Sequence, residues 1–145
     1  MRIKIDKRDV IFSKLVRERA SWSCEFCNRH FEDATRGLEC AHIYGRSRKG
    51  MRWLPLNAVA LCTGHHMHFT GNPLEFAAWI EGHIGKANAE TLRIMAGQTH
   101  KLSKADLEDI HQNLKAELKR VEMLRAGGKT GRVEFDSPYP ERIAA

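Results

Sequence analysis

At 145 residues the chain suits one ordinary domain, or a small domain with an extension, and can bury a modest core. No stretch reaches the ~18 to 20 continuous apolar residues of a membrane span, and Met1–Lys4 leads into no apolar signal region, so the reading is a cytoplasmic protein with no membrane partner. The net charge is +6, and residues 1–60 account for it with thirteen Lys/Arg against seven Asp/Glu, the remainder holding eleven against eleven. A localised basic excess suits a polyanion, because each neutralised phosphate releases a counterion; the plainer alternative is a surface kept basic for solubility.

From Asp9 to Arg19, Val10, Ile11, Phe12, Leu15 and Val16 recur near helical spacing opposite Lys14, Arg17 and Arg19, which predicts a short amphipathic helix. Cys24-Glu-Phe-Cys27 predicts a tight knuckle. Leu38–Tyr44 and Asn57–Cys62 read as short strands joined by a basic loop over Gly45–Pro55, with a helix starting near His65. Asn72, Pro73 and Glu75 predict a capping box opening a helix that Gly85 ends, and Asn88 and Gly97 bracket a shorter helix. Ser103 with Asp106 opens the longest helix, which stops at Gly127 and Gly128. Its stripe of Leu107, Ile110, Leu114, Leu118 and Val121 is a face for packing on the domain or, alternatively, a homodimer seam. Residues 129–145, with Pro138 and Pro140, read as an irregular tail.

Four cysteines in a reducing compartment suit metal ligation better than disulfides. A structural zinc takes four soft or borderline donors, commonly two from each of two turns. Cys24-x-x-Cys27 supplies one turn, and Cys62-Thr-Gly-His65 repeats the spacing with a Gly that lets the backbone bend. Cys40 is the rival fourth ligand. It lies two before His42, so both leave one face of a strand, and zinc on Cys40 would release His65 for chemistry.

His42, Asn57, His66 and His68 remain. The run of Ala41-His42-Ile43, Asn57-Ala-Val-Ala-Leu-Cys62 and His65-His66, framed by Cys24 and Cys27, resembles the HNH endonucleases, the nuclease branch of the ββα-metal fold. The resemblance implies a small α+β protein: a zinc-stabilised ββα-metal core with its N-terminal helix over 1–70, a helical extension over 71–128 and the tail over 129–145. It implies that His42 is the general base and that His66 holds a catalytic divalent cation, Mg²⁺ or Mn²⁺ before others. Asn57 would either brace the loop beside His42 or lend its amide oxygen to that ion. Phosphodiester hydrolysis explains the residue types, since a neutral imidazole can take a proton from water while a cation offsets phosphoryl and leaving-oxygen charge. Many members carry a further metal ligand where Ala41 stands, and a late histidine where Thr70 stands. His68, off that register, is a ligand or phosphate contact or else a partly exposed structural histidine. Arg46, Arg48, Lys49 and Arg52 would grip DNA phosphates, and Trp53 would pack beneath the loop. His30, His83, His100 and His111 fall outside the cluster.

The helices after the core, over "NPLEFAAWIEGHIG" and "KLSKADLEDIHQNLKAELKRV", make the chain similar to phage recombination endonucleases of the NinG or Rap type. That likeness implies double-stranded or branched recombining phage DNA as substrate, in the cytoplasm of a bacterial host. Two other functions fit the residues: a non-catalytic, zinc-stabilised DNA-binding module, and an interaction protein whose long helix docks a partner.

Overall fold

The computed structural model of the chain describes residues 3–32 and 36–144. Asp6 caps the first helix, α1 (Lys7–Arg19), with its carboxylate accepting from the N–H groups of Arg8 and Asp9, while the Asp9 side chain accepts from the N–H of Asp6. The helix starts two residues earlier than its apolar stripe because this cap lies outside the stripe. Phe12, Leu15 and Val16 are buried, whereas Val10 faces solvent.

Two antiparallel strands, β1 (Leu38–His42) and β2 (Ala58–Cys62), form the sheet, in a register that sets Leu38 opposite Cys62 and His42 opposite Ala58. All five residues of β2 are buried. The loop between them ends in a 3-10 turn at Pro55–Asn57. From Cys62 the chain passes directly into α2 (Thr63–Thr70), followed by α3 (Pro73–Ile84), α4 (Lys86–Ala96), α5 (Lys104–Ala126) and a last turn, α6 (Glu141–Ala144). Helix α1, the β1–β2 hairpin and the mainly helical C-terminal part make a small α+β fold. Among the described residues no helix is long and apolar enough to cross a membrane.

Three local expectations change. Asn72 precedes α3 but does not cap it through its side chain; its Nδ2 instead donates to His68 O at 2.7 Å, closing the end of α2, and Glu75 accepts from His68 Nε2 at 3.0 Å. With only two residues between the helices, the Asn72 amide reaches backward as readily as forward. Helix α4 begins at Lys86, because Gly85 at φ +89° ends α3 and opens α4 in a single residue; Asn88 sits inside it, bonded to Ile84 O. Gly64 lies in the first turn of α2 without a positive φ, so the bend between Cys62 and His65 is that of a strand entering a helix.

The capping box of Ser103 and Asp106 opens α5 as its spacing predicts. Ile110, Leu114 and Val121 are buried and Leu107 and Leu118 half-buried, with α5 lying along α1, so the stripe is engaged within the chain. The segment after α5 is irregular up to residue 140, yet Val133, Phe135, Tyr139 and Ile143 are buried in the same core. The Tyr139 hydroxyl donates to Lys49 O at 2.6 Å and accepts from the Trp53 N–H at 3.0 Å, tying the tail to the basic loop.

Candidate metal cluster and histidine cleft

The side-chain donors of Cys24, Cys27, Cys62 and His65 all lie within 4.8 Å of one another. The knuckle at residues 24–29 closes through Asn28 N–H to Cys24 O at 2.8 Å and Cys24 N–H to Arg29 O at 2.9 Å. Asn28 takes φ +64°, a conformation asparagine tolerates. Glu25 docks the knuckle on the free edge of β2: its N–H donates to Ala60 O, and its Oε2 accepts from Ala60 N–H at 2.7 Å. Burial would raise the Cys24 thiol, but the N–H groups of Cys27, Cys62 and Phe26 outweigh it and hold the pKa below the ordinary value. The Cys62 thiol is raised by burial and by its neighbours Cys24 and Cys27. Three thiols and an imidazole so close together are a donor set that fits tetrahedral zinc, whose charge would relieve that crowding.

Cys40 is not among these donors. It lies two residues along the strand from Leu38, the partner of Cys62, and lines a different site, where burial pushes its thiol up to about 12. That site is a cleft of about 650 Å³ between α1, β1 and α2, lined by Asp9, Glu39, Cys40, His42, Arg46 and His66 among others. His65 and His66 serve different sites because neighbours on a helix point about 100° apart.

The two cleft histidines are each fixed through one ring nitrogen. His42 Nε2 lies 2.8 Å from Arg52 O, and a carbonyl only accepts, so Nε2 carries the proton and Nδ1 keeps its lone pair. His66 Nδ1 lies 2.8 Å from Glu39 Oε1, so Nδ1–H donates to the carboxylate and Nε2 is the nitrogen without a protein partner among the described residues. Burial of the His42 ring lowers its pKa below the ordinary value, favouring the neutral form, despite the opposing bond to Arg52 O.

Asn57 is fully buried and does not line the cleft. Its Oδ1 accepts from Tyr44 N–H at 2.9 Å, and its Nδ2 donates to Tyr44 O at 2.9 Å and Met51 O at 3.0 Å. Both ends of the amide are engaged in holding the loop. That is the geometry of a brace.

The four basic loop residues divide. Arg52 pairs with Asp9 through Nε and a terminal nitrogen and donates to Lys4 O; its side chain is only 12% exposed. Burial would raise the Asp9 carboxyl, but Arg52, the Asp6 N–H and Trp53 Nε1 hold it below the usual range. Arg46 reaches the cleft, and Arg48 and Lys49 are exposed on the loop. Trp53 is buried under the loop as expected. His68 is outside the cleft, paired with Glu75 at the surface.

Two site residues escape the motif. Glu39 orients His66, and Asp9 anchors Arg52. An acidic residue inside a short strand is the signal for the first; nothing in the sequence signals the second, since the partners are 43 positions apart. No protein-family model, no curated protein and no solved structure matches this chain.

Proposed function

We propose that the chain is a metal-dependent endonuclease of the HNH type that hydrolyses DNA phosphodiester bonds in the cleft between α1, β1 and α2. The observation that carries this reading is that His42 and His66 line one cleft with complementary free nitrogens, Nδ1 on the first and Nε2 on the second. His42, neutral and fixed by Arg52 O, takes the proton of the attacking water at Nδ1. His66 would hold the divalent ion through Nε2, with Glu39 as the carboxylate behind it, an arrangement common to metal-binding histidines. When bound, that ion offsets charge on the phosphoryl and leaving oxygens. Asn57 keeps the loop, and so the Arg52 carbonyl, in place. Arg46 meets the phosphates at the cleft. Cys24, Cys27, Cys62 and His65 would hold a structural zinc that fastens the knuckle to the hairpin. The narrower form of the proposal takes branched or recombining phage DNA as substrate, in a bacterial cytoplasm.

Plasmid and branched DNA incubated with Mg²⁺ or Mn²⁺ should be cut, and His42→Ala should slow cleavage by roughly 10²- to 10⁴-fold with zinc content unchanged. Undiminished cleavage by that variant would sink the mechanism. One observation favours a non-catalytic DNA-binding module instead: among the described residues only the cysteine cluster gathers three or more metal-binding side chains. That module would bind DNA in a salt-sensitive way and would leave it uncut whichever divalent ion is added.

A further inference from the structure

The basic loop has a second side. Between residues 47–51 and the 98–102 connection from α4 to α5 lies a groove of about 740 Å³, walled by Arg48, Lys49 and Lys101 with Ser47, Gln98 and Thr99. Among the described residues no acidic side chain lines it. Ser47, Lys49, Gln98, Thr99 and Lys101 are exposed, and none of their side chains has a hydrogen-bond or ion-pair partner among the described residues. Arg48 is held in position, donating to Ala96 O at 2.6 Å with its guanidinium 5.5 Å from the Tyr44 ring centre.

The two walls are locked together. The His100 ring lies over Gly50, where an added Cβ would come within 2.3 Å of its Cδ2, so only glycine lets loop and connection meet this closely. His100 Nε2 is buried without a partner. Three cations facing one space with no carboxylate between them repel one another, and an anion relieves that repulsion. Hydroxyl and amide donors between the cations suit a group with several oxygens rather than a bare ion.

We propose that this groove seats a phosphate group and, resting on the nuclease reading above, that the group is a backbone phosphate of the bound DNA away from the scissile bond. Such a contact positions a strand without reading its sequence.

The test measures anisotropy of a labelled DNA duplex against salt, on the His42→Ala background without added divalent ion. Lys49→Ala with Lys101→Ala should lower the magnitude of the salt slope by about 0.9 for each phosphate no longer neutralised, and affinity about eightfold near 0.1 M salt. Lys115→Ala with Lys119→Ala, the same charge change on exposed residues of α5, should leave both within about twofold. Equal losses in the two pairs, or no loss in either while DNA still binds, would overturn the seat and leave the nuclease reading standing. Should the parent protein bind no DNA, the nuclease reading fails instead, and titration with inorganic phosphate decides the groove. Shifts of the His100 ring signals that vanish in the Lys49/Lys101 variant would keep it as a seat for a free or nucleotide phosphate; absence of shifts would end it.

Discussion

The cysteine cluster and the histidine cleft hang on one hairpin and differ in how far each is closed. Around the cluster, two turns converge four donors within 4.8 Å of one another, a full tetrahedral set. In the cleft, each of two lining histidines has one nitrogen fastened by the protein and one without a partner among the described residues. A closed donor set suits a metal that holds shape, whereas an open one suits a site that must admit water and substrate. The hairpin separates the two roles: Cys62 stands at the end opposite Leu38 and His42 at the end opposite Ala58.

That division can be broken at its strongest point first. Cys62→Ala should abolish zinc binding and cooperative folding together, since a structural zinc contributes on the order of 10 kcal/mol, comparable to the whole stability of a small domain. Zinc content and the thermal melt by circular dichroism would report it, and Cys40→Ala should leave zinc content intact. Arg52→Ala takes the closest cation from the buried Asp9 carboxylate and leaves it, among the described residues, only Arg46 at 3.9 Å, and a loss of about 3 kcal/mol in urea denaturation is expected without loss of zinc. Tyr139→Phe removes the hydroxyl that bridges Lys49 and Trp53, for about 1 kcal/mol on the same measurement.

The smallest effect is on pH dependence. With its pKa lowered by burial, His42 stays neutral in the fold below the ordinary histidine value of ~6.5, while in the unfolded chain it takes up a proton there. Cleavage should therefore persist as pH falls through ~6.5 and decline only below it. The stability linked to this group should fall as pH drops below ~6.5, and His42→Ala should flatten that slope. A pH–rate profile whose acid limb lies above the ordinary value would contradict the buried, neutral ring.

Much of this is legible in the sequence because it depends on near neighbours. The two short-spaced metal turns, both strands and the box at Ser103 are set by residues within a few positions of one another. What cannot be read depends on partners brought together by folding. The loop's charge points Arg52 toward DNA, yet Asp9 captures it across the fold. Glu75 has the spacing of a capping residue, but His68, seven positions back, takes it. The tail's Val133 and Phe135 alternate with charged residues over too short a run to predict a strand, Tyr139 lies between Pro138 and Pro140 and Ile143 just after them, so the burial of all four follows only from the surface that α1, α5 and the basic loop offer them.

The Tyr139 tether has a bearing on synthesis. The loop that flanks His42 emerges early from the ribosome, but the hydroxyl that fastens it is made some ninety residues later. Until that stretch is released and docks, the loop is held by Asn57 and by the Arg52–Asp9 pair without its tie to the tail, so it gains this last fastening well after the hairpin has been made.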